Sequence, residues 1–488
     1  MSSSQIDLVS AAEALAGFGP EVKVSPDEVR AATFSSNKCL IVIDDDPTGS
    51  QAVSGVPVLT NWQVEDFDWA LSQGHGAIFV LLNTRAESEQ TARRLNTEAV
   101  TNALISAKKI GKEVSFVSRS DSTLRGHFPA ETDAIEETLL ASGSKPNRAT
   151  LLIPAFPDAG RVTIDGTHYL KSGENLTPVG QTEFARDATF GYSNSNLAKY
   201  IEEKTLGRVS SSSVYKLTLK EIRTSPQVIS EFLESLPLGS IATVDAFTIN
   251  DLRNVALGVA LAELAGNTFL YRTGPTFVAA WIGERDYAPI SSIELKSSAS
   301  TPSTGGLIVV GSHVALTNSQ LAEVRVKFPG VVEVEVTPDI ALSSTFEQQE
   351  AGQIANHLLQ ILETENVILR TSRELVTGSS PEESLDISRR VSSAIAEIVN
   401  RVLKQRHLKF VISKGGITSN DVASKGLQVR RAIVVGPLLP GLVSLWRPVD
   451  GVAVGMPFVV FPGNVGDEFA LAKVVEKLSN PEREQNSQ

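Results

Sequence analysis

One cysteine, Cys39, stands in a chain of 488 residues, which excludes an internal disulfide and a thiolate metal cluster and fits a reducing compartment. It reads as a small buried strand residue. Positive charge is also scarce, with 44 Lys and Arg against 56 Asp and Glu and a net charge of -12. Phosphate backbones select basic surfaces, so nucleic acid is not expected as a partner. No apolar run approaches the roughly 18 residues of a bilayer crossing, and the start, Met1-Ser2-Ser3-Ser4-Gln5, has no basic segment ahead of an apolar stretch. No membrane partner and a cytoplasmic location are expected. Two nucleotide signatures are missing as well: Gly-x-x-x-x-Gly-Lys-Ser/Thr, and a strand leading into Gly-x-Gly-x-x-Gly with a later ribose-binding acid. P-loop and dinucleotide readings weaken accordingly.

What is present is alternation. The length exceeds what one hydrophobic core organises, and short β-rich runs alternate with helical patterns, the signature of α/β layering. Strands are expected at Leu40 to Asp44, Val56 to Thr60, Ala77 to Thr84, Glu113 to Ser118, Thr150 to Ala155, Ile241 to Phe247 and Thr268 to Thr273, with helices such as Ser88 to Lys109 and Pro129 to Ala141 between them. The stretch Arg161 to Tyr192 lacks periodicity and reads as a loop or hairpin insertion. Between Ala288 and Gly306 small polar residues leave little to bury, which marks a linker. A second α/β unit then opens at Leu307 to Val310 and continues through Val331 to Val336, Val367 to Arg370, Lys409 to Ile412 and Pro457 to Phe461. The expected organisation is an extension (1–37), a first domain (38–287), a linker (288–306), a second domain (307–480) and a tail (481–488). Both domains are expected to be three-layer α/β/α units with mostly parallel sheets.

Chemistry gathers at strand ends. Asp44-Asp45-Asp46-Pro47-Thr48-Gly49 follows the apolar run Cys39 to Ile43. Three adjacent acids lose solvation there, so cationic partners or ligand hydroxyls must compensate them. A second cluster, Arg119-Ser120-Asp121-Ser122-Thr123-Leu124-Arg125-Gly126, offers two guanidiniums, hydroxyls and an acid, the donors that grip a polyhydroxy carboxylate. Arg85 ends another strand, so three strand ends supply ligand-type residues at one sheet edge, where open α/β sheets bind ligands. His127 and His168 could serve as acid-base groups, but a lone histidine near a helix start or loop is more often a hydrogen-bonded structural residue, and both are left unassigned. Asp158-Ala159-Gly160-Arg161 and Asp165-Gly166 look like an ordered loop that can close over a ligand, or ordinary turns. In the second half, Gly311-Ser312, Ser413-Lys414-Gly415-Gly416-Ile417-Thr418 and Phe461-Pro462-Gly463-Asn464-Val465-Gly466 follow strands, and their free amides suit phosphate.

These motifs, in this order, resemble the four-carbon acid sugar kinases: Asp45-Asp46-Pro47-Thr48-Gly49 for the family's Asp-Asp-x-Thr-Gly, Arg119 to Gly126, Gly415 to Ser419, and Phe461 to Gly466. The resemblance implies an N-terminal domain that binds the acid sugar, a C-terminal domain that binds ATP, and an active site in the interdomain cleft. It implies substrate binding by Asp45, Asp46, Arg85, Arg119, Ser120, Asp121, Ser122, Thr123 and Arg125, with Asp46 or Asp121 as catalytic base. Nucleotide binding falls to Ser312, Gly415, Gly416, Ile417, Thr418, Gly463, Asn464 and Gly466, with ATP and Mg²⁺ as cofactors, and a homo-oligomer is compatible. Pro47, Asp44 and the Arg161 to Tyr192 insertion depart from the family pattern, which leaves open which tetronate is phosphorylated. A kinase for another small sugar acid or polyol, or a non-catalytic sugar-acid and nucleotide sensor, are the alternatives.

Overall fold

A computed structural model describes residues 8–35, 38–285, 290–291, 293–296, 303–312, 314–372, 381–439 and 442–480. The chain divides into two units, Met1–Gly49 with Trp62–Asp286 and Ser50–Asn61 with Tyr287–Gln488. Strands are numbered through the whole chain, so β3 falls in the second unit.

The first unit holds β1 (Val9–Ser10), β2 (Lys38–Asp44), β4 (Ala77–Leu81), β5 (Glu113–Arg119), β6 (Ala149–Ile153), β7 (Arg161–Ile164), β8 (Thr167–Ser172), β9 (Asn175–Pro178), β10 (Tyr215–Leu217), β11 (Ser240–Val244) and β12 (Phe269–Thr273). Seven of them form a parallel sheet in the order β10-β11-β6-β12-β5-β2-β4. Covered strands need no polar face, which is why β2 is buried at every position after Lys38 and reads as a continuous apolar run. Two helical groups provide the cover: Val64–Ser72, Glu89–Ile110 and Ala130–Ala141 form one, and Pro26–Ser35, Pro226–Ser235, Ile249–Leu264 and Pro275–Trp281 the other. In Glu89–Ile110 the Ser88 hydroxyl accepts from the Thr91 amide at 3.3 Å, Gly111 closes the helix at φ 75°, and Ala92, Ala99, Ala103 and Ala107 are buried.

The Arg161 to Tyr192 insertion is an antiparallel meander, β7-β8-β9, followed by 3₁₀ turns. The supposed N-terminal extension is part of this unit: β1 pairs with β9, and Ala11 is buried among Val162, Ile164, Leu176 and Leu219. Residues 1–7 and 36–37 of that stretch lie outside the described residues, as do 481–488 of the tail.

The second unit holds β3 (Pro57–Leu59), β13 (Leu307–Val310), β14 (Val332–Val336), β15 (Val367–Thr371), β16 (Val411–Lys414), β17 (Arg431–Leu439), β18 (Val443–Pro448) and β19 (Phe458–Phe461). From β19 through β16, β13 and β15 to β14 the pairing is parallel, and β3, β17, β18 and β19 pair antiparallel. β17 and β18 were not read from the sequence. Two further expectations are corrected. The segment 50–61, assigned to the first domain, joins the second unit because β3 pairs with β17 and the buried Ser50 hydroxyl accepts from Trp446 Nε1 at 2.9 Å. The 288–306 linker is not free of packing: Leu295 is buried with Ile308, Leu445 and Val459. Residues 288–289, 292 and 297–302 of it lie outside the described residues. Among the described residues no helix is long and apolar enough to cross a membrane.

Candidate functional site

Parallel pairing in register brings Asp44 of β2 opposite Leu81 of β4 and Arg119 of β5. The strand ends are stitched together by backbone: the Asp45 amide donates to the Arg119 carbonyl at 3.2 Å and the Arg85 amide to the Asp45 carbonyl at 3.3 Å. The acids after β2 therefore emerge between Arg85 and Arg119, and both guanidiniums face them.

Asp44 is fully buried and ion-paired with Arg119, whose Nη2 also donates to the Asp46 carbonyl at 2.7 Å. Burial pushes the Asp44 carboxyl up to about 7 against the pull of Arg119. Gly49 passes directly over this pair, and a Cβ there would collide with the Asp44 carboxylate and the Arg119 guanidinium, so the turn needs glycine. Asp45, also buried, is gripped side-on by Arg85 through Nη2 at 2.7 Å and Nε at 3.2 Å. Asp46 is more open. Its Oδ1 accepts from the Thr48 amide at 2.8 Å and the Thr48 hydroxyl at 2.6 Å, and its Oδ2 lies 3.4 Å from Arg85. Burial opposes ionisation of Asp46, but Arg85, Arg119 and Thr48 outweigh it and hold the carboxyl below its ordinary value.

Asp121 accepts from Arg125 Nε at 2.6 Å and from the Thr123 hydroxyl on one oxygen, Oδ2. Against burial, Arg85 and Arg125 hold it well below the usual carboxylate range. The loop that carries it is tied down by the insertion and the helix after it: His168 Nε2 donates to the Ser122 carbonyl at 2.7 Å, the Tyr192 hydroxyl to the Thr123 carbonyl at 2.6 Å and the Tyr200 hydroxyl to the Leu124 carbonyl at 2.8 Å. These ties hold Leu124 at φ 69° and leave Ser122 and Thr123 buried. Ser120 is buried too, with its amide on the Thr273 carbonyl at 2.9 Å. His168 takes the Thr163 hydroxyl on its other nitrogen, and His127 lies within bonding distance of the Thr84 and Glu87 carbonyls. Both histidines are thus hydrogen-bonded within the first unit.

Residues that the sequence reading passed over complete the cluster. Glu131 takes the Thr84 hydroxyl and lies 3.9 Å from Arg272, whose guanidinium stacks 5.0 Å over Phe128. Arg272 sits one residue before the end of β12, so the same strand-end rule applied to Tyr271-Arg272-Thr273-Gly274 would have found it.

In the second unit three loops at the ends of β13, β16 and β19 converge. Thr317 Oγ1 lies 3.1 Å from both Ser312 Oγ and the Gly463 carbonyl. Gly311 leaves no room for a Cβ beside Thr418, and one added to Gly463 would lie 2.6 Å from Ser312 Oγ. Gly415, at φ 121°, lies against Ser312, and Gly416 opens the helix Gly416–Asp421 that carries Ile417 and Thr418. Asn464 and Gly466 continue the third loop, which Gln320 Nε2 holds through the Val465 and Asp467 carbonyls at 3.0 and 2.8 Å. Beneath them, Lys414 is fully buried with Nζ 3.1 Å from the Pro462 carbonyl and 4.0 Å over the Phe461 ring, and burial lowers its pKa to about 7. His313 lies outside the described residues.

Residues 40–281 match the family described as a sugar-binding N-terminal domain, and residues 307–471 the nucleotide-binding C-terminal domain. A D-erythronate kinase of Heliobacterium modesticaldum is 24% identical over 467 residues, spanning 90% of this chain and 97% of the relative. Two solved structures share the fold at 18% identity. One, from Salmonella typhimurium LT2, has a TM-score of 0.64 and covers 90% of this chain and 98% of its own. The other, a Haemophilus influenzae protein of the domain of unknown function DUF1537, has a TM-score of 0.57 with 89% and 98% covered.

Proposed function

Because the chain belongs to the four-carbon acid sugar kinase family, we propose that it uses ATP to phosphorylate the terminal hydroxyl of a four-carbon sugar acid: threonate, erythronate or 3-oxo-tetronate. The observation that carries this reading is the pairing of Asp44, Asp45, Asp46 and Asp121 with Arg85, Arg119 and Arg125 at the carboxyl edge of one parallel sheet. Such a lattice of fixed charges is costly to desolvate and suits hydroxyls and a carboxylate better than an apolar ligand.

Positioning and electrostatics are the main contributions a protein makes to phosphoryl transfer. In this reading the first unit orients the sugar acid, with Ser120, Ser122 and Thr123 shaping the loop and Arg85, Arg119 and Arg125 fixing the acids. Asp44 and Asp45 are sealed in ion pairs, which leaves Asp46 and Asp121 to accept the hydroxyl proton. Both are held ionised, and Asp121 keeps Oδ1 without a donor among the described residues. Amides of Gly415, Gly416 and Gly463, with the Ser312 and Thr418 hydroxyls, would face the phosphates, and Ile417, Asn464 and Gly466 would border the nucleotide. Mg²⁺ bound with the nucleotide would neutralise charge on its phosphates.

The test is ADP release over threonate, erythronate, 3-oxo-tetronates and the matching tetritols. Acid-dependent ADP is expected with wild type, and Asp46→Asn and Asp121→Asn should each lower kcat by roughly 10²–10⁴ where the residue is the base. A variant within about tenfold of wild type is not the base. Absence of ADP with every acid overturns the reading.

A further inference from the structure

The arginines of the two acidic motifs are already occupied. Arg85 holds Asp45 and Asp46, Arg119 holds Asp44 and lies 3.5 Å from Asp45, and Arg125 holds Asp121 and lies 3.7 Å from Asp187. A substrate carboxylate that displaced Arg119 or Arg85 would strand the buried Asp44 or Asp45, which is strongly unfavourable, and one that displaced Arg125 would take the cation from Asp121. The carboxylate needs a guanidinium that no protein acid has claimed.

Arg161 is in that position. It opens β7 directly after the turn Pro157–Ala159 and Gly160 (φ 73°), at the start of the insertion. Its backbone is pinned both ways to Phe156, at 2.8 and 2.9 Å, and its Nη1 donates to the Ala159 carbonyl. Among the described residues no carboxylate lies within ion-pair distance of it, and its Nε is buried without a hydrogen-bond partner. Nε and Nη2 form the side-on fork, the edge by which Arg85 grips Asp45. Arg125 shares the Phe184 ring with it: the Arg161 and Arg125 Cζ atoms lie 5.9 and 5.2 Å from the ring centroid. Burial and the Arg125 charge both disfavour the Arg161 cation, and Asp121 offsets them only in part. A half-buried guanidinium with an empty fork is stabilised by an incoming anion.

Resting on the kinase reading above, we propose that Arg161 takes the carboxylate of the sugar acid through its Nε and Nη2 fork and thereby selects an acid over the neutral polyol of the same length. The hydroxyl chain would then run from Arg161 past Asp121, which places the insertion's first residue in substrate selection rather than in support.

Calorimetric titration of the full chain, without nucleotide, separates the possibilities. The probes are D-erythronate, D-threonate, erythritol and threitol, each against wild type, Arg161→Met and Arg161→Lys. The methionine variant should bind the acids at least ~30-fold more weakly and the tetritols within about twofold of wild type, and lysine, which keeps charge without the fork, should fall between. The KM for ATP should not move. Acid affinity within about threefold of wild type in Arg161→Met, or in Arg161→Lys if the first variant does not fold, overturns the assignment, as does a wild type that binds no acid. Arg161-dependent acid binding without ADP release would sink the kinase reading and leave the assignment standing. ADP release with Arg161-independent binding would do the reverse.

Discussion

Asp44 shows how a single residue can be conspicuous in sequence and hidden in structure. It heads the acidic run, yet it is fully buried, and its partner Arg119 is 3% exposed. The pair anchors the site under Gly49 instead of facing a ligand. Removing the cation with Arg119→Met should cost ~3–5 kcal/mol of stability in urea unfolding, because an uncompensated buried carboxylate remains. Restoring neutrality with Asp44→Asn in the same chain should recover part of it. The sign with pH follows from the raised Asp44 value: its folded pKa of about 7 exceeds the ordinary 3.8, so the folded state holds the proton more tightly and stability is withdrawn as pH rises from about 4 to about 7. The Arg119→Met loss should therefore be larger at pH 8 than at pH 6. A loss independent of pH would mean that Asp44 is not the group responsible.

Between elements, the β7-β8-β9 insertion and the segment after it act on the Asp121 loop through three carbonyl ties, from His168, Tyr192 and Tyr200. The histidine makes this tie pH-dependent. Burial depresses His168 from 6.5 to about 4, so between those values the unfolded chain binds a proton that the folded chain refuses. Stability from this group is full above about 6.5 and is lost as pH falls toward 4, a loss on the order of 3 kcal/mol. His168→Gln removes the titration and keeps a donor, so the stability gap between wild type and variant, from denaturant curves at several pH values, should narrow on acidification. A gap that stays constant from pH 7 to pH 4.5 would contradict the assignment. None of this was legible from Asp165-Gly166-Thr167-His168, since a turn and a histidine say nothing about which carbonyl, 46 residues away, the ring will meet.

At the scale of the whole molecule the chain crosses between its units three times, after Gly49, Asn61 and Asp286. A cut at the 288–306 linker, the boundary the composition suggests, would leave the second unit without β3 and without Ser50, the acceptor of the Trp446 indole. Residues 307–488 expressed alone should expose the β17 edge and aggregate or unfold, as read by size-exclusion chromatography and circular dichroism. Adding residues 50–61 as a separate peptide should raise the fragment's melting temperature. A stable monomeric fragment would contradict the division. Fold class, most strands and the acidic and glycine motifs were legible because they depend on local patterning: continuous apolar runs for strands covered on both faces, glycine and hydroxyls where the chain turns toward a ligand. The allegiance of 50–61 and the pairing of Arg85 and Arg119 were not, because their partners lie tens to hundreds of residues away, whereas the β17–β18 hairpin, closed between Leu439 and Val443, is local and was missed in the run of the sequence. The amino-acid order alone thus determined that charge would collect at strand ends. Only tertiary packing decided which charges cancel one another and that the buried Arg161 Nε is left without a hydrogen-bond partner, since pairing depends on distance in space and sequence carries only distance along the chain.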